Sequence, residues 1–227
     1  MPTPRSLAPL CLAALVHAGA APAQTVHTEH DAHRMHADAA AYIRALDDPA
    51  RDAWQKPHEV IAALDVKPGE TIADIGAGSG YFALRFARHV GPEGRVYAVD
   101  VSKDMVAHLE TQARTAGLGN LRTVLAPPDD PTLPDAAVDR VFFCDVWHHI
   151  DDQAGYLAKV KKALRPSGEV VMVDFHKRDL PVGPPVSMKI AREDLIAQVE
   201  ANGFRLVREH TFLPYQYFLV FRVVPSA

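Results

Sequence analysis

The segment Asp74-Ile75-Gly76-Ala77-Gly78-Ser79-Gly80 constrains this chain more than any other. Three glycines at alternate positions let the backbone turn sharply and bring it close to a ligand, since no Cβ stands in the way. Residues 71–75 before it read as a short β-strand, and residues 81–90 after it as an apolar-faced helix closed by Gly91-Pro92. A strand, a glycine turn and a helix in that order point free helix N–H groups at electron-rich atoms. Asp100, 20 residues past Gly80, ends the next β run at residues 95–99, where a carboxylate can accept from both hydroxyls of a ribose.

The pattern continues along the chain. Residues 39–46 and 52–64 are helical candidates, the second stopped by Pro68 and Gly69. Ser102 caps a helix with Met105, Val106, Leu109 and Ala113 on one face. Strands are expected at 121–125, 138–143 and 170–175, with a helix at 153–164 ended by Pro166 and Gly168. The last two of these strands are almost continuously apolar, as strands covered on both faces must be. A helix at 192–201, capped by Asn202-Gly203, leads to strands at 204–209 and 217–223. Such alternation predicts an α/β fold: a Rossmann-like, seven-stranded, mainly parallel sheet with helices on both faces and ligands at the carboxyl ends of the strands.

The first residues differ in texture. Residues 1–5 carry Arg5 and no acid, residues 7–16 are largely apolar, and Ala21-Pro22-Ala23 offers small residues before Gln24. This predicts a signal peptide over residues 1–23, with export to the periplasm or the medium; the apolar run is short for a membrane span of about 20 residues. Pro9 and Leu10 before Cys11 argue against a lipid anchor, and twin arginines are absent. Translation from Met35 would instead leave the protein in the cytoplasm. After cleavage no integral membrane span is expected and Cys144 is the remaining cysteine, so no internal disulfide can form. Residues 24–38 form a histidine-rich lead-in with His27, His30, His33 and His36. Imidazoles at that spacing can converge on zinc, nickel or copper; the plainer reading is a solvated tail, with no metal site. The catalytic domain is expected over 39–227, with N-terminal helices at 39–65 and the sheet core at 70–224. With 24 Lys and Arg against 28 Asp and Glu, the formal charge of -4 leaves no basic excess to neutralise phosphates, so no nucleic-acid partner is expected. The apolar share of 48% excludes a disordered chain.

Tyr81 occupies the position where a dinucleotide fingerprint wants glycine. The G-x-G-x-G spacing preceded by Asp74 instead resembles motif I of the class I S-adenosylmethionine-dependent methyltransferases, of the small-molecule, ubiquinone and menaquinone type. Four further blocks carry the resemblance: Val96-Tyr97-Ala98-Val99-Asp100; Leu133-Pro134-Asp135 with Val138-Asp139; Asp145-Val146-Trp147-His148-His149; and Ala163-Leu164-Arg165-Pro166-Ser167-Gly168-Glu169, whose Pro-Ser-Gly departs from the usual Pro-Gly-Gly. Together they span about residues 59–224. The resemblance implies S-adenosylmethionine as cofactor, with Asp74, Gly76, Gly78 and Gly80 around its methionyl part and Asp100 on its ribose. It implies Val101 against the adenine and an acid after the third strand, Asp129 or Asp130, accepting from the adenine amino group. Trp54, Gln55 and Pro57 fall where related enzymes fold a lid over the cofactor, with core packing as the other reading of Trp54.

Methyl transfer asks the protein chiefly to align the acceptor, and a base is needed when the acceptor must lose a proton. Asp145, His148 and His149 lie just past the fourth strand, where the acceptor should arrive; one histidine or the other, but not both, is a candidate base, and a structural hydrogen bond at the strand end is the plainer reading of each. Cys144 has no base placed beside it by sequence and reads as packing. His176, Lys177 and Arg178 could touch an anionic acceptor or form a solvated loop end. The expected function is methyl transfer to a small-molecule acceptor. An exported protein that keeps the cofactor fold without turnover, or binds metal, is the rival; a nicotinamide oxidoreductase is disfavoured by Tyr81. The sequence does not indicate an oligomeric state.

Overall fold

The structure, a computed structural model, describes residues 39–224. The expected signal peptide and the histidine-rich segment lie outside the described residues. The elements in chain order are α1 (Ala39–Leu46), a 3-10 turn (Pro49–Arg51), α2 (Asp52–Gln55), α3 (Pro57–Ala63), β1 (Thr71–Ile75), α4 (Ala83–Val90), β2 (Arg95–Asp100), α5 (Lys103–Thr115), β3 (Leu121–Leu125), β4 (Val138–Cys144), a 3-10 turn (Trp147–His149), α6 (Gln153–Ala163), β5 (Leu164–Phe175), a 3-10 turn (Val186–Met188), α7 (Arg192–Ala201), β6 (Phe204–His210) and β7 (Gln216–Val223). The sheet order is β3-β2-β1-β4-β5-β7-β6. All neighbours are parallel except β7, which runs antiparallel to both β5 and β6. This is the seven-stranded, mainly parallel α/β sheet that the sequence predicts.

Alternation along the strands divides the core into two layers. Ala73, Ile75, Val141, Phe143, Val170, Met172, Leu219 and Phe221 face one way and meet Leu157 and Val160 of α6 and Leu195 and Val199 of α7. Ile72, Val96, Ala98, Phe142, Val171, Phe218 and Val220 face the other and meet Val60 of α3 and Phe86 and Val90 of α4. Each fully buried Val, Leu, Ile, Met or Phe side chain among these contributes about 1.5–3 kcal/mol. No helix among the described residues is long and apolar enough to cross a membrane.

Two local expectations are corrected. The helix expected over 52–64 is broken: Lys56 adopts φ 46, ψ 56, and α3 restarts at Pro57. Proline has no N–H to continue the helix, its ring disfavours the α conformation in the residue before it, and it suits the first helical position. The fifth strand starts six residues early, because Leu164 turns extended directly from α6 and pairs with Val138. The register then jumps to Arg140 opposite Glu169, so Pro166-Ser167-Gly168 sits inside a bulge.

The order reverses between β1 and β4, whose connections leave toward opposite edges of the sheet. A crevice therefore opens at the carboxyl ends of these two strands. The glycine loop after β1 and the Asp145-Val146 turn after β4 form its two walls.

Candidate functional site

Gly76, Gly78 and Gly80 have φ of 67°, 55° and 94°, the left-handed region in which a Cβ is strained. At Gly76 a Cβ would also lie 2.4 Å from Val146 Cγ2, so the two walls of the crevice touch across this glycine. A cavity of about 310 Å3 runs along the crevice, lined by the loop and by Asp74, Asp100, Val101, Arg51, Asp145 and His149 among others.

The cofactor-side carboxylates are held by backbone. Asp100 accepts from Gly78 N–H and Ser102 N–H, both at 2.8 Å. A carboxylate has about four acceptor sites, so ribose hydroxyls can join these two donors. Asp74 is buried, 3% exposed, and accepts from the backbone N–H of Ala83 at the start of α4. Burial, then the nearby Asp100 charge, pushes its carboxyl up to about 8. Val101, 57% exposed, forms part of the rim.

Asp129 and Asp130 do not line this cavity; Pro127 and Pro128 do. Lys159 of α6 lies 3.6 and 3.4 Å from their carboxylates, and Asp130 accepts from Thr132 N–H at 2.7 Å in a turn. The two prolines stand between the cavity and these acids, and Asp130 remains near enough to Tyr156 on the cavity wall to raise its hydroxyl pKa, after burial.

The acceptor side is built from side chains. Asp145 stands at the end of β4 with φ 58, a conformation that Asp tolerates better than most residues. Its carboxylate accepts from Gln216 Nε2 at 2.6 Å. Burial, then the Asp174 charge, pushes its carboxyl up to about 7, against the pull of Arg51, Gln216 and His148. The vicinal histidines keep their rings together, with centroids 4.2 Å apart, but differ in exposure. The His148 side chain is 4% exposed and its Nδ1 lies 3.4 Å from Asp174 Oδ2 on β5; burial lowers its pKa, but Asp174 outweighs this and leaves it raised. His149 is exposed and lines the cavity. Cys144 is held under the site by Gln55 Nε2 at 3.0 Å from its Sγ, and burial pushes the thiol well up, which keeps it protonated and poorly nucleophilic.

Arg51, Asp174 and Gln216 join the site without belonging to any of its sequence motifs. Asp174 carries a signal, as the one charge within the apolar run of residues 170–175. Arg51 and Gln216 carry none, because tertiary contact alone gives them a place. Arg51 lies over the Tyr81 ring at 4.1 Å, Arg85 over the same ring at 4.3 Å, and the Tyr81 hydroxyl donates to Asp52. This cluster packs the broken helix onto the glycine loop. Trp54 packs at 5.6 Å from Phe175 and 6.2 Å from Tyr215, measured between ring centroids.

The residues present suit S-adenosylmethionine. Ser79 Oγ is buried without a hydrogen-bond partner among the described residues and lies on the cavity wall. The carboxyls of Asp74, Asp100 and Asp145 line the cavity, and a cationic cofactor would favour their ionised forms. The same lining offers no cluster of basic side chains for a pyrophosphate.

Residues 73–172 match the methyltransferase domain family. A crystal structure of an S-adenosylmethionine-dependent methyltransferase from Aquifex aeolicus superposes with a TM-score of 0.78 at 27% identity, covering 81% of this chain and 98% of that one. A methyltransferase from Burkholderia thailandensis, solved with 1,6-didemethyltoxoflavin and S-adenosylhomocysteine bound, shares the fold with a TM-score of 0.63 at 21% identity, over 91% of this chain and 93% of that one. The ubiquinone/menaquinone biosynthesis C-methyltransferase of Francisella philomiragia is 27% identical over 130 residues, 57% of this chain and 51% of that protein. Across the first curated relatives the match covers between 32% and 51% of their length. Residues 73–172 are thus similar to a methyltransferase domain in sequence, and the sheet around them shares the fold of an S-adenosylmethionine-dependent methyltransferase.

Proposed function

We propose that the protein transfers the methyl group of S-adenosylmethionine to a small-molecule acceptor. The observation that carries this reading is the cavity at the β1/β4 crevice, with the glycine loop and Asp100 on one wall and Asp145 and His149 on the other. The similarity to quinone C-methyltransferases supports a small acceptor.

When bound, the cofactor supplies a methyl group already activated by its sulfonium. The protein's part is then to orient, to exclude water and to handle a proton. Gly76, Gly78 and Gly80 admit the methionyl part, Asp100 takes the ribose hydroxyls, and Val101 covers the adenine at the rim. On the other wall Asp145 takes the acceptor's proton, with its carboxyl placed near neutral pH, where a base is both unprotonated and strong enough to act. His149 meets the acceptor at the mouth, and His148, turned inward to Asp174, holds the floor beneath. This arrangement suits an acceptor that loses a proton on methylation, such as a phenol or an activated carbon.

Calorimetric titration tests the reading. S-adenosylhomocysteine is expected to bind at micromolar concentration and NADH not to bind; NADH binding without S-adenosylhomocysteine binding would overturn it in favour of an oxidoreductase. Residues 1–23 support export of the protein, and a peptide starting at Gln24 in an extracytoplasmic fraction is the expected mass-spectrometric result. A peptide starting at Met35 in the cytoplasm would overturn export.

A further inference from the structure

Two fully buried glutamines stand among the few buried polar side chains at the carboxyl end of the sheet. Gln55, in the short helix α2, is 0% exposed, and Gln216, the first residue of β7, is 1% exposed. Gln216 is followed by Tyr217, Phe218, Leu219, Val220 and Phe221, all buried. A buried amide destabilises unless its donors and acceptor are all met, and an apolar residue would pack there at no such cost. The topology explains how Gln216 arrives. Because β7 runs antiparallel to β5, its first residue lies opposite Phe175 at the carboxyl end of the sheet, beside the crevice.

The contacts form a directed chain. Arg51 Nη2 donates to Gln55 Oε1 at 3.0 Å, Gln55 Nε2 donates to Gln216 Oε1 at 3.0 Å, and Gln216 Nε2 donates to Asp145 Oδ1 at 2.6 Å. A guanidinium can only donate. It therefore fixes the Gln55 oxygen toward itself and the Gln55 nitrogen toward β7, which fixes the Gln216 amide in turn and leaves its N–H aimed at Asp145. Flipping either amide would set donor against donor. The second Gln55 N–H meets Cys144 Sγ at 3.0 Å, and Cys144 Sγ lies 3.6 Å from Asp145 Oδ2, so a weaker branch reaches the other carboxylate oxygen.

We infer that Gln216 and Gln55 are positioning residues, which carry the donor polarity of Arg51 on the cofactor side across to Asp145 and hold that carboxylate as an acceptor facing the crevice. The inference rests on the methyl-transfer reading for giving Asp145 a reaction to serve; the chain of contacts does not depend on it. The other titratable or charged groups around Asp145 are Asp174 from β5, His148 from the turn after β4, Arg51 before α2, Cys144 on β4, Tyr42 from α1 and Tyr217 from β7. Of the hydrogen bonds to Asp145, the one from Gln216 is the shortest and is neutral at every working pH, so its loss separates cleanly from changes of charge.

The test follows the Asp145 carboxyl carbon by NMR in protein labelled with 13C-aspartate, with and without S-adenosylhomocysteine, the resonance being assigned by its disappearance in Asp145→Asn. Gln216→Met, nearly isosteric and uncharged, is expected to raise the midpoint of Asp145 by about one pH unit, because the ionised form loses its donor. Gln55→Met is expected to raise it by about half as much, since Gln216 then becomes free to flip. Midpoints within about 0.2 unit of the parent in both variants would overturn the inference. Should Gln216→Met fail to fold, the parent protein still decides: the side-chain NH2 resonances of Gln216 and Gln55 should both shift with the Asp145 midpoint, and a Gln55 signal that ignores it overturns the relay. Failure of the parent to bind S-adenosylhomocysteine would instead remove the methyl-transfer reading and leave these shifts to be judged separately.

Discussion

The two walls of the crevice reach similar polarity by different means. On the β1/β2 wall, backbone does the holding: positive-φ glycines, two N–H groups on Asp100, and the first turn of α4 on Asp74. On the β4/β5 wall, side chains do it: Gln216 on Asp145, Asp174 on His148, Gln55 on Cys144. A backbone site is written in consecutive residues, since glycine spacing and a strand-end acid are enough to specify it. A side-chain site is assembled by topology, and Gln55 and Gln216, 161 positions apart, meet because β7 is inserted antiparallel between β5 and β6.

The strongest way to break this contrast is at Gly76, where the walls touch. Gly76→Ala combines a strained left-handed conformation with overlap of the β-branched Val146, whose Cβ as well as Cγ2 is too close to move aside as a flexible tip would. A loss of about 3 kcal/mol is expected, read as a fall in Tm of about 9 °C. The companion variant Gly76→Ala/Val146→Ala should recover more than half of it. If the single variant is as stable as the parent, the walls do not meet as described.

Asp100→Ala acts on the cofactor wall alone. It removes the acceptor of the ribose hydroxyls, and hydrogen bonds to a charged group are worth about 1.5–3 kcal/mol, so S-adenosylhomocysteine affinity should fall about 100-fold by calorimetry. An unchanged affinity would mean that Asp100 serves only to fold the loop over Gly78 and Ser102.

The legibility of the two walls follows from this contrast. The glycine loop, β1, β2 and Asp100 could be placed from sequence because each depends on neighbours within a few residues. The break at Lys56 was also written there, in Pro57, but the helical periodicity on either side hid it. Resemblance implies Asp129 or Asp130 at the adenine; in the structure Pro127 and Pro128 line the cavity and both carboxylates lie beside Lys159. For Asp145 and His149 the strand end could be read; which partners would tune them could not, because Asp174 and Gln216 arrive from strands laid down later.

Buried carboxyls on both walls sharpen the comparison through pH. Asp74 is raised to about 8 and Asp145 to about 7, both first by burial and then by a neighbouring carboxylate. A carboxyl whose folded pKa is raised binds its proton more tightly in the native than in the unfolded state. Its contribution to stability is complete below the ordinary value near 3.8 and is lost as pH rises toward the folded value. The ligand-free protein should therefore lose several degrees of Tm between pH 5 and pH 8. Asp74→Asn should reduce this slope over the whole range and remove most of it above about pH 7, whereas Asp145→Asn should reduce it only below about pH 7. Bound S-adenosylhomocysteine, whose ammonium group is attracted to the cofactor wall, should offset the Asp74 part and leave the Asp145 part. A Tm that rises steadily from pH 5 to 8 would contradict both assignments.

The smallest expected effect bears on where the cofactor wall ends. Asp129 and Asp130 lie next to Pro127 and Pro128, which line the cavity, yet their carboxylates face Lys159 of α6 rather than the crevice. Exposed pairs of this kind contribute about 0–1 kcal/mol, and the backbone carbonyl of Asp129 keeps its 2.6 Å bond from Lys159 Nζ whatever the side chain. The double variant Asp129→Ala/Asp130→Ala should thus change S-adenosylhomocysteine affinity by less than about twofold at constant ionic strength. Loss of tenfold or more would put one acid on the adenine amino group after all. The cofactor wall would then include a side-chain contact set beyond a proline turn, and the division between a backbone-built and a side-chain-built wall would no longer hold.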